Sequence, residues 1–225
     1  MTGGSMVAAG EPFIRWQWIG DHLGLIWQQT LQHLWLTFLA VTIGAAISIP
    51  VGIYAHRHRR VYAPVTFVSG LLYTIPSLAL FVLLLPITGL TTLTAEIGLV
   101  SYTLLILIRN TVAGLDSVPP DVREAASGMG YTRRQLLWGV EMPLALPAIM
   151  AGIRIATVTT ISLATVAAFI GVGGLGQPIF NAIQSGFKTQ FVAAGLLAVA
   201  LALVADALLV LLQRMLAPWM RARRA

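Results

Sequence analysis

Cysteine is absent from this chain of 225 residues, and charged residues are scarce. The absence of cysteine excludes a disulfide framework, thiolate catalysis and metal sites built on cysteine. Charged residues make up 10% of the chain, against about 25% in an ordinary soluble domain. Hydrophobic residues make up 57%, and the mean hydropathy is +0.84. So few charges could not cover the surface of a water-soluble protein, and the composition therefore predicts an integral membrane protein.

Sequence patterns for catalysis and nucleotide binding are also missing. No G-x-x-x-x-G-K-[ST] sequence is present, so a P-loop for ATP phosphates is excluded. Gly171, Gly173 and Gly176 match G-x-G-x-x-G, but a dinucleotide site requires an acidic residue about 20 residues further on. No Asp or Glu lies between Glu141 and Asp206. With no paired carboxylates and no nucleophile beside a base, we expect neither enzyme activity nor a cofactor or metal ion in this chain.

Five stretches are long and apolar enough to cross a hydrocarbon core about 30 Å thick as helices. They cover about 34–55, 61–85, 96–115, 147–170 and 189–213. The sequence therefore predicts an all-α membrane protein with five transmembrane helices. Before them, about 11–32 carries three tryptophans among polar residues, which predicts an interfacial helix on the outer face.

The basic residues set the predicted orientation, because Lys and Arg are concentrated in cytoplasmic loops. If the loop after the first span is cytoplasmic, only Arg15 and Lys188 of the 14 basic residues lie outside. The inner group is Arg57, Arg59, Arg60, Arg109, Arg123, Arg133, Arg134, Arg154, Arg214, Arg221, Arg223 and Arg224. The N-terminus is then outside and the C-terminus inside. Anionic lipid accounts for the net charge of +6 without nucleic acid as a partner.

The chain is accordingly divided into three regions. Residues 1–32 form an external segment, 33–217 the transmembrane domain, and 218–225 a basic cytoplasmic tail. Small residues recur at a four-residue spacing in three spans, and this spacing favours close helix packing in lipid. They are Ala40, Gly44, Ser48 and Gly52, then Gly152, Ala156, Thr160, Ala164 and Ala168, then Ala194, Ala198 and Ala202.

Three charged residues interrupt the spans. Arg109, Arg154 and Asp206 lie inside the third, fourth and fifth spans, where a charge costs about 2.5–3.5 kcal/mol to insert. We therefore expect Asp206 to form an ion pair with Arg109 or Arg154 and to fix how the three spans face each other. Two alternatives are that the arginines extend to the interface, or that Asp206 belongs to a proton relay.

The cytoplasmic loop, residues 116–146, begins with signals for a short helix. Pro119 and Pro120 suit a helix start, and Gly128 and Gly130 suit its end about two turns later. Thr132 is followed at the capping-box distance by a glutamine, so a second helix is expected there. We expect Pro143 to end that second helix after about Val140.

This loop resembles that of the permease subunits of binding-protein-dependent ABC importers. Their signature is Glu-Ala-Ala, three residues, Gly, nine residues, an aliphatic residue, one residue, Leu and Pro. The positions that match in register are Glu124, Ala125, Ala126, Gly130, Val140 and Pro143, with Met142 in place of the leucine. The resemblance extends over about 31–217 and implies the five-helix ABC importer permease fold.

The resemblance also implies how the loop acts. Its first helix would be a coupling helix that inserts into a separate ATPase subunit, and that subunit would hold ATP and Mg. Ala125 and Ala126 would allow close approach, Gly130 would form the turn, and Arg123 and Glu124 would offer polar contacts. The alternative is a surface helix with no partner.

Two further stretches, Tyr73–Leu80 and Gly171–Pro178, look like those of the osmoprotectant branch of this family. The implied substrates are glycine betaine, choline, carnitine or proline betaine, and methionine-type importers are similar. Within the first stretch, Thr74, Pro76 and Ser77 are candidates for lining the substrate path. The alternative is that Pro76 only kinks the helix.

Together these features imply a multi-pass transport subunit of the plasma membrane. Its expected partners are membrane lipid, a second copy or homologue of the permease, a cytoplasmic ATPase dimer and an external substrate-binding protein. A stand-alone ion-coupled carrier is the alternative from another class, but such carriers show internal repeats, and no convincing repeat is found here.

Overall fold

The computed structural model describes residues 14–219, and all regular structure in that range is helical. The α-helices are α1 (Trp16–Asp21), α2 (Leu23–Arg57), α3 (Arg59–Thr74), α4 (Ser77–Thr88), α5 (Thr92–Asp116), α6 (Pro120–Gly128), α7 (Arg133–Leu136), α8 (Met142–Val166), α9 (Gly176–Ser185) and α10 (Lys188–Leu216). A π-helical turn (Leu137–Glu141) joins α7 to α8, and a 3₁₀ turn (Ala167–Ile170) follows α8. The predicted all-α class is confirmed. Residues 1–13 and the basic residues Arg221, Arg223 and Arg224 lie outside the described residues.

Four segments of the described chain are each long and apolar enough to cross a membrane. They are Leu23–Arg57, Thr92–Asp116, Arg133–Ile170 and Lys188–Leu216. A fifth span is obtained if α3 and α4 are counted together, although the two are bent by 97°. The five predicted spans are therefore all present, but the second is broken.

The break in the second span is located at Ile75 and Pro76. A proline disfavours the α conformation of the residue before it, and Ile75 accordingly has φ −64° and ψ 128°. Pro76 is extended as well, with φ −55° and ψ 133°. The prediction of one continuous helix over about 61–85 is therefore wrong, because two consecutive extended residues end α3 and start α4 in a new direction.

The first long helix starts earlier than the sequence suggested. The described part of the interfacial helix expected over about 11–32 is divided between α1 and the first turns of α2, which runs without interruption for 35 residues. No proline lies between Leu23 and Leu34, and glutamines are good helix formers. Nothing in this stretch therefore ends a helix before the first span, and α2 continues through residue 33.

The fourth span also differs from its prediction. Pro143 does not end the second helix of the loop, because a π-helical turn carries the helix past it into α8. Pro143 has no N–H to donate to the carbonyl four residues earlier. In the wider turn, the Met142 N–H donates instead to the Leu137 carbonyl five residues earlier. The helix thus avoids the usual break, as π turns commonly allow.

Helix α5 lies at the centre of the bundle, between α2 and α8, and small residues bring the three helices together. A Cβ added to Gly52 of α2 would lie 2.8 Å from Thr111 of α5, and one added to Gly152 of α8 would lie 2.5 Å from Asn110 of α5. All the small residues of the predicted rows in the first and fourth spans are buried, namely Ala40, Gly44, Ser48, Gly52, Gly152, Ala156, Thr160, Ala164 and Ala168. On α10 only Ala194 of the predicted row is buried, and Ala198 and Ala202 are half-buried.

Candidate functional site

The cytoplasmic loop presents one face of α6 to the outside. The helix begins at Pro120, as predicted, because proline at the first helical position lacks only an N–H that would have no partner anyway. Glu124 and Ala125 are exposed, whereas Ala126 is only 2% exposed. Ala125 is thus open to a partner, whereas Ala126 packs inside the chain, and close approach of a partner at the two alanines stays a prediction.

The turn after α6 forms as the glycines and the capping box predict. Gly130 has φ +84°, a left-handed conformation that glycine adopts without the cost of a Cβ clash. The Thr132 hydroxyl accepts a hydrogen bond from the Gln135 N–H at 3.4 Å, and the Gln135 side chain accepts one from the Thr132 N–H at 2.9 Å. This reciprocal capping box starts α7 and holds the loop in a defined path.

The side chain of Arg123 is bonded within the chain. It forms an ion pair with Glu141 of the π-helical turn and donates to the carbonyl of Leu115 at the end of α5. In the single chain the guanidinium of Arg123 is thus engaged internally, and a polar contact from Arg123 to a partner subunit stays a prediction. Val140 and Pro143 are half-buried in the continuous helix that leads into α8.

A second polar cluster joins the cytoplasmic ends of three helices. Asp116, the last residue of α5, accepts a hydrogen bond from His56 Nδ1 at 2.7 Å and two from the guanidinium of Arg59. His56 belongs to α2 and Arg59 begins α3. No group of three His, Asp or Glu residues suited to a metal ion occurs in residues 14–219. His56 therefore serves this hydrogen-bond cluster.

The three candidates for path lining lie at the break between α3 and α4. Thr74 ends α3 and is exposed, Pro76 is exposed at the break, and Ser77 begins α4 half-buried. The Tyr102 hydroxyl of α5 donates to the carbonyl of Ile75. The carbonyl of Ile75, which has no partner in a helix because of the break, is therefore hydrogen-bonded within the chain. Thr74 and Pro76 remain exposed on the surface of the single chain.

Asp206, the carboxylate within the fifth span, pairs with Arg154, one of its two predicted partners. Arg154 Nε donates to Asp206 Oδ1 at 2.8 Å, and its terminal nitrogen donates to Oδ2 at 2.9 Å. This two-bond geometry fixes orientation as well as distance, so it links α8 to α10. Arg109 is exposed and is not the partner of Asp206.

The outer end of the bundle contains a buried histidine that the sequence reasoning missed. His33 of α2 is completely buried. Its Nδ1 accepts a hydrogen bond from the Leu175 N–H at 3.3 Å, and its Nε2 donates to the Ile161 carbonyl at 3.0 Å. Gln32 accepts a bond from the Gly174 N–H at 3.1 Å. Two neighbouring side chains of α2, Gln32 and His33, thus hold the glycine-rich loop before α9. In the sequence, the only indication of this role is that two polar residues occur together at the start of an apolar span.

Comparison with known proteins relates the chain to a family of transport proteins. Residues 44–222 match the family described as binding-protein-dependent transport system inner membrane component. The osmoprotectant import permease protein OsmW of Salmonella typhimurium is 42% identical over 203 residues, which are 88% of this chain and 94% of the relative. The glycine betaine/carnitine/choline transport system permease protein OpuCD of Bacillus subtilis is 37% identical over 87% of this chain and 86% of its own length.

A solved structure has the same fold at lower sequence similarity. The methionine ABC transporter MetNI in an inward-facing conformation includes a chain that is similar with a TM-score of 0.77. The similarity covers 87% of this chain and 98% of that chain, at 22% sequence identity. At this identity the likeness establishes the helical arrangement and leaves the substrate open.

Proposed function

The chain belongs to the family of binding-protein-dependent transport system inner membrane components, and we propose that it forms the membrane path of an ATP-driven importer for a compatible solute. It is a multi-pass inner membrane protein and a transport component. The observation that carries the proposal is the exposed Glu124–Ala125 face of α6, in register with the signature of such permeases.

We propose that this face contacts a separate ATPase subunit. Exposed apolar side chains follow it along the same loop, namely Met129, Tyr131 and Trp138, which are 71%, 43% and 58% exposed. Exposed apolar groups of this kind, next to polar ones, are typical of protein interfaces. The partner would hold ATP and Mg, since this chain has no P-loop sequence.

The break between α3 and α4 supports a path beside Thr74, Pro76 and Ser77. Non-helical backbone at membrane depth is tolerated where it is buried in protein or lines a water-filled cavity, but not where it meets lipid. Thr74 and Pro76 are exposed in the single chain, so a second copy or a homologue of the permease would have to cover them. We propose that the solute passes between the two copies along this break.

Relatives at 32–43% identity support a compatible solute as the substrate. Their names mention osmoprotectants, carnitine, choline and glycine betaine. The alternative of a methionine importer rests on a structure that is 22% identical, and that identity is too low to assign a substrate. An ion-coupled carrier is less favoured, because the carboxylate of Asp206 is engaged by Arg154.

In the proposed cycle, the inward-open and outward-open states differ in their affinity for the loaded binding protein. ATP binding would bring two ATPase subunits together and draw the two α6 helices with them, so that the bundles turn from inward-open to outward-open. An external binding protein would then deliver the solute. Its loaded form must bind the outward-open state more tightly, because a ligand shifts an equilibrium only by its difference in affinity.

The test is reconstitution of the chain with its ATPase and binding protein in liposomes. We expect ATP-dependent uptake of glycine betaine, carnitine or choline, with ATP hydrolysis stimulated by the loaded binding protein. Glu124→Gln should weaken ATPase binding by roughly tenfold or more, because a hydrogen bond to a charged group contributes about 1.5–3 kcal/mol.

Arg60→Gln is the matched control, since Arg60 is an exposed cytoplasmic charge outside the loop, and it should leave ATPase binding unchanged. Uptake by this chain alone, driven by an ion gradient, would contradict the proposal. Equal ATPase affinity for Glu124→Gln and the wild type would contradict the role given to α6.

A further inference from the structure

The inner face of α6 carries a charged side chain that is bonded within its own chain. The side chain of Arg123 is 29% exposed, and that of its partner Glu141 is 9% exposed. Glu124 and Ala125, the next two residues along the helix, are exposed. The helix therefore has two chemically distinct faces, one open to a partner and one bonded to its own chain.

One guanidinium joins three separate segments. Arg123 belongs to α6, its terminal nitrogen donates to the carbonyl of Leu115 at 2.5 Å, and its Nε lies 2.9 Å from Oε1 of Glu141. Leu115 is in the last turn of α5, where carbonyls have no partner in the helix and the dipole favours a cation. Glu141 lies in the π-helical turn before α8. The side chain thus links α6 to both membrane helices that flank the loop.

An apolar core below this contact holds the same segments together. Leu115, Leu137, Ala145 and Ile149 form a buried cluster, and they come from α5, the π-helical turn and α8. Ala126 of α6 is also buried. Apolar contacts therefore join the end of α5 to the start of α8, and the side chain of Arg123 attaches α6 to this unit.

The low exposure of Glu141 makes its charge depend on Arg123. Removing the arginine would leave a nearly buried carboxylate without a compensating charge, and this is unfavourable. Since Arg123 and Glu141 are separated by the turn at Gly130 and the whole of α7, the pair closes the loop upon itself. A force applied to α6 then acts on α5 and α8 directly, without first extending the loop.

We propose that Arg123 and Glu141 are positioning residues that transmit the movement of α6 to α5 and α8. The inference rests on the function proposed above and assigns different roles to the two faces of α6. The outer face, with Glu124, binds the ATPase. The Arg123–Glu141 pair converts movement of the bound ATPase into movement of the membrane helices.

The experiment compares solute transported per ATP hydrolysed in the reconstituted complex of full-length permease, ATPase and binding protein. Glu141→Gln removes one charge with little change of shape, and Arg123→Lys keeps the charge but cannot reach both partners with a planar fork. Both variants should bind the ATPase as the wild type does and still hydrolyse ATP. The solute transported per ATP should fall by roughly 2- to 30-fold, the range for residues that carry coupling between sites.

Two controls separate transmission from folding and from docking. Arg134→Gln removes an exposed charge from the same loop and should leave the ratio unchanged. Combining Arg123→Glu with Glu141→Arg should restore part of the ratio, because the ion pair is reversed. Restoration should be incomplete, since a glutamate at position 123 cannot donate to the Leu115 carbonyl.

Unchanged ratios in both Glu141→Gln and Arg123→Lys would overturn the proposal. Loss of the ATPase from both variants, as expected for Glu124→Gln, would overturn it as well, because the pair would then only shape the docking face. If one variant fails to fold, the other decides. A wild-type complex without ATP-driven uptake would instead refute the proposed function, so the two failures are distinguishable.

Discussion

At the scale of single residues, His33 is a buried polar side chain that bonds to two other segments at the outer end of the bundle. Its ring is completely buried, and each ring nitrogen has a backbone partner on a different segment. Because Nδ1 accepts from an N–H and Nε2 faces a carbonyl, the arrangement requires the tautomer with its proton on Nε2. A Cβ on Gly174 would lie 3.1 Å from His33 Nδ1, so the loop also needs glycine at that position to approach the ring.

We expect His33→Ala to loosen this loop. The Leu175 N–H and the Ile161 carbonyl would lose their partner in a buried place, and the free energy of unfolding should fall by about 2–3 kcal/mol. Thermal unfolding in detergent and amide hydrogen exchange at Gly174 and Leu175 measure the effect. His22→Ala is the control, because His22 bonds only to Trp18 within its own turn. Unaltered exchange at both amides in His33→Ala would contradict the assigned role.

The intramembrane charges illustrate what a single sequence can and cannot predict. The presence of Asp206 in an apolar span predicts a cationic partner, since an unpaired charge there is costly. Arg109 and Arg154 lie at similar depths on different spans, so the sequence left both as candidates. The choice depends on the rotation of α8 against α10, and the structure places Arg154 against Asp206.

At the scale of the helices, the contact between α5 and α8 depends on the absence of one side chain. A Cβ on Gly114 would lie 2.8 Å from the carbonyl oxygen of Ala145 and 3.1 Å from Cβ of Ala148. Neither atom can move away by rotating a side chain. The two helices that flank the cytoplasmic loop can therefore pack at this distance only with glycine at position 114.

We expect Gly114→Ala to force these helices apart and to lower the free energy of unfolding by roughly 1–3 kcal/mol, the usual cost of overpacking. Thermal unfolding in detergent measures it. Gly195→Ala on α10 is the matched control, because nothing lies within 4 Å of its added Cβ. That variant should be neutral or more stable by up to about 1 kcal/mol, since alanine is the better helix former. Equal stability of the two variants would contradict the packing described.

Some helix ends could be predicted from neighbouring residues, and others could not. The start of α6 at Pro120 and the capping box of Thr132 with Gln135 were predictable, because their determinants lie within four residues of each other. Pro76 lies inside a predicted span and Pro143 was expected to end a helix, yet the helix breaks just before Pro76 and a π turn passes Pro143. Proline chemistry indicates a disturbance at both places, but it does not say whether the result is a break or a wider turn.

At the scale of the whole molecule, orientation can be tested without removing any native residue, because the chain has no cysteine. Ser185 at the end of α9 and Ser127 in α6 are both exposed, and the charge distribution places them on opposite sides of the membrane. A membrane-impermeant maleimide should label Ser185→Cys in intact cells. It should label Ser127→Cys only after the membrane is permeabilised.

Cells that express the permease alone suit this measurement, since an ATPase would cover α6. The wild-type chain gives the background without labelling. Labelling of Ser127→Cys in intact cells would reverse the orientation and move the loop away from any cytoplasmic ATPase. The proposed function would then be wrong at its first step, whatever the details of the loop.

The sequence alone predicted the class of the protein, the approximate positions of its spans, its orientation and the short helix of the cytoplasmic loop. Each depends on properties of nearby residues, namely hydropathy over about 20 positions, the count of Lys and Arg beside a span, and capping. Only the tertiary structure decided that Arg123 points inward to Glu141, that Asp206 selects Arg154, and that His33 holds a loop 142 residues away. These outcomes depend on how distant helices are rotated and staggered, and that arrangement is set by packing across the whole bundle.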